Sequence, residues 1–190
     1  MKTHIIEGPL TYDGTQLASH WIYKNTGVMG DAAVAFRGGC DVKIDSMVDL
    51  ADVLDNKSIF SHEMLHFIAE FFEDDLSKVI AWQRLFICII KEVIEELNPG
   101  AKILRKGDDL FIKDESGGLR KLTVSIATKS AVSCLMHTGV NIRSDGTPVP
   151  AAGLNDLGID PLDAAGLILD NFAGESESMK KARSKVRPVD

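Results

Sequence analysis

Two adjacent carboxylates and a lysine form the first candidate site in this sequence. Asp108 and Asp109 open one predicted strand and Lys121 opens the next, so a hairpin would bring the three side chains together. A lysine that points into a cleft holds a carboxylate or a phosphate as a point charge. The pattern therefore predicts an anion-binding group. Solvated strand ends would give the same pattern, and on these residues alone that interpretation is favoured.

Arg37-Gly38-Gly39 forms the second candidate, directly after a short apolar strand at 31–36. Glycine lets the backbone approach a ligand closely, and its free N–H groups suit phosphate or carboxylate oxygens. An arginine adds a bidentate clamp for the same anions. The segment is predicted to break the strand, and a plain turn that binds nothing is the alternative interpretation.

The third candidate is the segment from His137 to Asn141. Gly139 permits close approach of a ligand to the backbone, and the amide of Asn141 both donates and accepts hydrogen bonds. The alternative is a β-strand with one buried histidine. His137 and Asn141 are therefore predicted to bind substrate or nucleotide only if their strand faces a cleft.

In the order in which they follow one another along the chain, the three candidates resemble the motifs of the biotin and lipoate protein ligases and the lipoyl (octanoyl) transferases. They are also similar to an uncharacterised prokaryotic domain family placed distantly in that superfamily. The resemblance covers roughly residues 31–158. Its segments are Phe36-Arg37-Gly38-Gly39, Gly107-Asp108-Asp109-Leu110, Arg120 to Ala127, His137 to Ile142, and Gly153 to Gly158.

The resemblance implies a carboxylate-activating ligase or an acyltransferase of unknown substrate, with ATP and Mg²⁺ as the implied cofactors. In the ligases the lysine contacts both the acyl carboxylate and the adenylate phosphate, which implies a catalytic role for Lys121. Asp108 and Asp109 would bind substrate or nucleotide. The residues of the glycine loop, Arg37, Gly38 and Gly39, would cradle the acyl chain and the nucleotide. The implied partners are an acyl acid or nucleotide and an acceptor protein, and a homo-oligomer is compatible with the sequence.

Two departures from the family pattern keep a non-catalytic small-molecule binding module as an alternative. Val124 stands where the ligases keep a small residue three positions after the lysine. The transferases use a cysteine nucleophile after their Asn-containing strand, and residues 147–152 contain none. The thioester mechanism of the transferases is therefore not supported.

A rival motif lies at His62-Glu63-Met64-Leu65-His66, which has the HExxH spacing of zinc hydrolases. The segment from Ser61 to Phe72 is predicted to form an amphipathic helix, on which the two histidines would share a face and could bind one Zn²⁺. No third ligand stands at a usual position, because the following glutamates lie on the polar side of the next helix. A zinc-dependent hydrolase remains an alternative, and the solvated face of a helix is the simpler interpretation.

The composition is that of a globular protein: 190 residues, 45% hydrophobic and 26% charged, with a net charge of -7. This balance excludes a mainly disordered chain and argues against a nucleic-acid partner. Three separated cysteines, with no CxxC, indicate reduced thiols and a cytoplasmic location. No signal peptide is expected from the first residues, and no apolar run is long enough to predict a membrane span.

The elements that must position these residues predict an α+β fold. Helices are expected at 61–72 and 76–97 and after Asp160-Pro161, and strands at 31–36, 109–113, 121–128 and 136–142. Strands joined by short turns favour a mainly antiparallel sheet with helices packed on one side. The resemblance implies that this sheet is the class II synthetase-like sheet of the ligases. One domain is expected over 1–174, followed by a charged, frayed tail over 175–190.

Overall fold

The computed structural model describes residues 1–114 and 116–189, which form two sheets and four α-helices. The large sheet has the strand order β1-β2-β3-β8-β7, and the small sheet has the order β4-β5-β6. The strands are β1 (Lys2–Pro9), β2 (Ala32–Val42), β3 (Ile59–Phe71), β4 (Ile103–Lys106), β5 (Asp109–Lys113), β6 (Leu119–Lys121), β7 (Thr123–Lys129) and β8 (Cys134–Asn141). The helices are α1 (Trp21–Thr26), α2 (Leu50–Leu54), α3 (Leu76–Leu97) and α4 (Pro161–Ser184).

The predicted α+β class, with a mainly antiparallel sheet, is confirmed. Strands β1 and β2 pair in parallel, and the other neighbours in both sheets pair antiparallel. Helices α3 and α4 pack against one face of the large sheet, where they bury the main hydrophobic core. A smaller apolar cluster, which includes Ile22 of α1 and Met64 of β3, covers part of the opposite face. No helix of the described chain combines the length and apolar composition of a membrane span.

Helix α3 begins and ends where the sequence predicts. The side chain of Asp75 accepts a hydrogen bond from the Lys78 N–H and so caps the first turn. The apolar residues of the helix recur at helical spacing, and this stripe is buried against the sheet. A long helix with one buried face has an unambiguous period, which explains why its bounds were readable from the sequence.

The predicted helix at 61–72 is wrong, because this segment is the central strand β3. Alternate residues Leu65, Phe67 and Ala69 face α3 and α4, whereas Met64 and Ile68 belong to the opposite cluster. A central strand covered on both faces is apolar on both faces, so it lacks the polar alternation that marks a half-exposed strand. Its apolar run therefore also fitted a helical arc.

Strand β2 does not break at Arg37-Gly38-Gly39 but continues to Val42, with a register shift between Gly38 and Cys40 opposite β3. A Cβ on Gly38 would lie 2.1 Å from the Leu10 carbonyl oxygen, so only glycine fits there. The Leu10 N–H donates to the Arg37 carbonyl, and the Tyr12 N–H donates to the Gly39 carbonyl. The glycines thus let residues 10–12 run beside β2.

The predicted strand at 121–128 is divided at Leu122, which is fully buried. Its first part, β6, belongs to the small sheet, and its second part, β7, belongs to the large one. The main chain of Lys121 is held from outside both sheets, since its N–H donates to the Pro150 carbonyl and its carbonyl accepts from the Ala152 N–H. Lys121 therefore lies where the two sheets meet.

The last helix begins as predicted, with Asp160 as the N-cap and Pro161 in the first turn. The expected fraying from residue 175 is wrong as far as Ser184, because α4 continues to that residue and buries Ser176. The basic side chains near its end lie at the negative end of the helix dipole and stabilise the last turn. The helix is therefore longer than the high charge of this segment suggests.

Candidate functional site

A cleft of about 760 Å³ opens on the face of the large sheet that α3 and α4 leave free. Its floor comes from β3, β7 and β8, and one wall comes from the junction of the two sheets. Residues between β2 and β3, including α2, and the segment 147–151 border its mouth. Apolar floor residues with a few polar groups at one wall form the arrangement typical of small-molecule sites.

The structure brings together five of the predicted site residues and leaves three aside. Those that line the cleft are Asp108, Asp109, Lys121, His137 and Asn141. Arg37, Gly38 and Gly39 are not among the lining residues. Val124, the departure from the ligase pattern, also lines the cleft.

Arg37 has a partner away from the cleft. Its Nε lies 2.5 Å from Oε1 of Glu63, on the face of β3 that carries Leu65 and Phe67. The guanidinium is half-exposed, and its ion pair with Glu63 raises its pKa further. In this arrangement Arg37 orients a surface carboxylate and contributes nothing to the wall of the cleft.

Lys121 and two aspartates form a charged cluster at the junction of the sheets. Lys121 Nζ lies 2.9 Å from Oδ2 of Asp109, and both side chains are partly buried. Arg84 of α3 lies 2.5 Å from Asp108, and Gln83 Nε2 donates to the same carboxylate. Burial raises the pKa of Asp109, and its hydrogen bond with Lys121 opposes that shift only in part. Asp108 is thus held by side chains of α3. Asp109 pairs with Lys121, and burial makes its charged form less favourable.

Asn141 supports Lys121 through the main chain. Its Nδ2 donates to the Lys121 carbonyl at 3.2 Å, and its own N–H donates to the Leu122 carbonyl. The Leu110 N–H donates to Oγ1 of the buried Thr123. These bonds tie β8, β5 and β7 together around Lys121. They fix the register that turns its side chain toward the cleft.

A buried histidine pair lies further along the floor of the cleft. Nδ1 of His66 lies 3.1 Å from Nε2 of His137, and Nε2 of His66 lies 3.2 Å from the Gly39 carbonyl oxygen. Tyr12 stacks on His137 with ring centroids 3.6 Å apart. Burial lowers the pKa of His66 to about 4 and that of His137 well below its ordinary value. Both rings are therefore neutral at pH 7.

The sequence did not reveal Tyr12 and Cys40 as cleft residues. Burial raises the pKa of the Tyr12 hydroxyl well above its ordinary value and that of the Cys40 thiol to about 12, so both stay protonated. Tyr12 reaches the cleft only because Gly38 admits the segment beside β2. The two adjacent glycines could have signalled that a second backbone approaches there.

The geometry that a zinc hydrolase would need is absent from the HExxH segment. On a strand, residues four apart are separated by about 13 Å, and His62 and His66 are four apart on β3. His62 is exposed, His66 is fully buried with both ring nitrogens engaged, and Glu63 points to the other face of β3. Over residues 1–114 and 116–189, no three His, Cys, Asp or Glu side chains converge as metal ligands do.

Comparison with known proteins places this fold. The family model described as "Domain of unknown function (DUF366)" matches residues 1–187. A protein of unknown function from Pyrococcus horikoshi has 38% identity and a TM-score of 0.91, over 100% of this chain and 99% of that one.

More distant structures share the fold. A T. acidophilum protein described as a candidate lipoate protein ligase has 12% identity and a TM-score of 0.58, over 92% of this chain and 85% of its own. The biotin protein ligase from Aquifex aeolicus, solved with biotin and ATP, has 16% identity and a TM-score of 0.57, over 97% and 72%. The expected resemblance in fold to the biotin and lipoate ligases is thereby confirmed.

Proposed function

We propose that this chain, which belongs to the DUF366 family, binds a small carboxylic acid in its cleft and activates it for transfer to an amine. The observation that carries the proposal is the position of Lys121, whose ammonium group lies at the wall of the cleft beside Asp109. One solved protein of this fold is named as a biotin protein ligase, and another is named as a candidate lipoate protein ligase. A fold alone does not establish an activity, so the proposal rests on the cleft and its charges.

Asp109 is the group that an incoming carboxylate would replace. Because burial raises its pKa, its charged form is held less favourably than that of an exposed aspartate. A ligand carboxylate in the same place would form the same ion pair with Lys121 and bury additional apolar surface in the cleft. In the proposed site, the Asp109 carboxylate thus occupies the position beside Lys121 that the ligand carboxylate would take.

A nucleotide with Mg²⁺ fits the same wall in one respect. Mg²⁺ is usually held by one or two carboxylates together with substrate phosphates, and Asp108 and Asp109 supply two adjacent carboxylates. Bound Mg²⁺ would neutralise phosphate charge while a carboxylate oxygen of the acid bonds to the α-phosphorus and pyrophosphate leaves. Lys121 would steady the acyl carboxylate, and its main chain, held by Asn141 and residues 150–152, would keep that ammonium in place.

The experiment is a calorimetric titration of the protein with octanoate, lipoate and biotin, with and without ATP and Mg²⁺. Lys121→Ala should weaken acid binding at least about tenfold, since it removes a charge-assisted contact. Lys113→Ala is the matched control, because that lysine is exposed on β5 and does not line the cleft. Equal affinities for both variants and the parent would sink the proposal.

Activation is tested separately by pyrophosphate release from ATP in the presence of hydroxylamine, which traps an activated acid as the hydroxamate. Release that depends on an acid and is lost in Lys121→Ala supports the ligase. Acid binding without pyrophosphate release would favour the non-catalytic binding module. Val124 on the floor of the cleft is the specific feature in favour of that module.

A further inference from the structure

The hydrogen-bonding pattern of the buried histidine pair determines where its hydrogens lie. A carbonyl oxygen only accepts, so the contact with Gly39 requires a hydrogen on Nε2 of His66. In the neutral ring, Nδ1 of His66 then carries a lone pair and accepts from His137. The hydrogen between the two rings therefore belongs to Nε2 of His137.

This assignment leaves Nδ1 of His137 as an acceptor without a partner among the described residues. The side chain is 3% exposed and lines the cleft. Nδ1 is not among the fully enclosed polar atoms that lack a partner, so the small exposed part of the ring includes it. An acceptor on a nearly buried ring lowers the free energy of a complex when a ligand donor reaches it.

We infer that Nδ1 of His137 accepts a hydrogen bond from an N–H or O–H group at the far end of the ligand. His137 and Asn141 lie four residues apart on the same face of β8, so about 13 Å separates their positions along the strand, and Asn141 bonds to the main chain of Lys121. The ligand class is an elongated carboxylic acid with a donor at its distal end. Only the placement of the carboxylate rests on the proposed function.

The pair is a hydrogen-bond acceptor and not a proton relay. The chain of hydrogen bonds runs from His137 to His66 and ends at the Gly39 carbonyl, which does not take up a proton. Both rings are also enclosed by aromatic neighbours: Tyr12 stacks on His137, and Phe36 stacks on His66. The rigid setting keeps Nδ1 in one orientation and makes it suited to selecting among ligands.

The first test is nitrogen-15 NMR of the histidine rings. The inference requires that both His66 and His137 carry hydrogen on Nε2 at pH 7. The opposite tautomer at either ring overturns it.

The second test compares 8-hydroxyoctanoate with nonanoate, which have chains of similar length and differ in the terminal hydroxyl. The parent protein should bind the hydroxy acid about tenfold more tightly. His137→Gln can keep a donor toward His66 but has no acceptor at the position of Nδ1, so it should abolish this preference, measured as the ratio of the two affinities. His137→Asn retains an acceptor near Nδ1 and should retain part of the preference. A preference that survives in His137→Gln contradicts the inference.

A carboxylate-free probe separates this inference from the proposed function. Imidazolidin-2-one carries N–H donors and no acid group, and it should shift the Nδ1 resonance of His137 in the parent and in Lys121→Ala alike. If it does so while no acid binds, the proposed function fails and the inference stands. If neither the probe nor the hydroxy acid shifts that resonance, the inference is overturned.

Discussion

At the scale of residues, the buried histidine pair makes stability depend on pH. The folded pKa of His66 is lowered to about 4 from 6.5, so the unfolded chain binds more protons between these values. The contribution of His66 to the free energy of unfolding should therefore be complete above pH 6.5 and decrease as the pH drops toward 4. One such histidine contributes a slope of up to about 1.4 kcal/mol per pH unit.

Urea unfolding at pH 7, 6, 5 and 4 checks this expectation. His66→Gln should reduce the slope, because only the contribution of His137 then remains, and the exposed His4→Gln should leave it unchanged. A slope in His66→Gln equal to that of the parent would assign the effect to other groups.

The residues that the sequence revealed are those whose chemistry is tied to one strand register. A hairpin and its neighbouring strand place five of them at one cleft: Asp108, Asp109, Lys121, His137 and Asn141. The Tyr12 contact could not be read, because it depends on a backbone approach across Gly38. His66 was noticed for its spacing in a motif, and its real partner on β8 is distant in sequence.

At the scale of elements, replacing each of the two glycines of β2 by alanine is predicted to have a different effect on stability. Gly38→Ala places a Cβ against the backbone of Leu10 and should cost about 1–3 kcal/mol, because a packed main chain must move. Gly39→Ala meets nothing closer than 3.6 Å and should change stability by less than about 0.5 kcal/mol. Denaturant midpoints of the two variants check the difference. Equal midpoints would show that the backbone of residues 10–12 moves at little cost to admit the added Cβ.

Element type was predictable where the hydrophobic period is clear, and it failed at β3. Helix α3 and strand β5 have the bounds that the sequence predicts, since each has a clear period. Strand β3 was misread as a helix because its polar residues, such as Glu70, are themselves buried. Glu70 accepts from the hydroxyl of Ser133 and the N–H of His20, and such long-range partners leave no local signature.

At the scale of the whole molecule, Thr123 couples the two sheets. Thr123→Val removes the acceptor of the buried Leu110 N–H and should cost about 1–3 kcal/mol. It should also weaken acid binding, since Lys121 lies two residues away at the same junction. Thr128→Val near the other end of β7 is the control. Calorimetry and thermal melts of both variants decide, and unchanged binding in Thr123→Val would show that the junction does not position Lys121.

The order of strands in the large sheet has a consequence for synthesis on the ribosome. Strand β3 pairs with β2 on one side and with β8 on the other, and residues 72–133 separate β3 from β8 along the chain. The nascent chain therefore presents one edge of its central strand to the cell until β8 has emerged. Such an open edge invites pairing with other chains. Slower translation before residue 134 would prolong that exposure, and early packing of α3 against β3 would shield the face but not the edge.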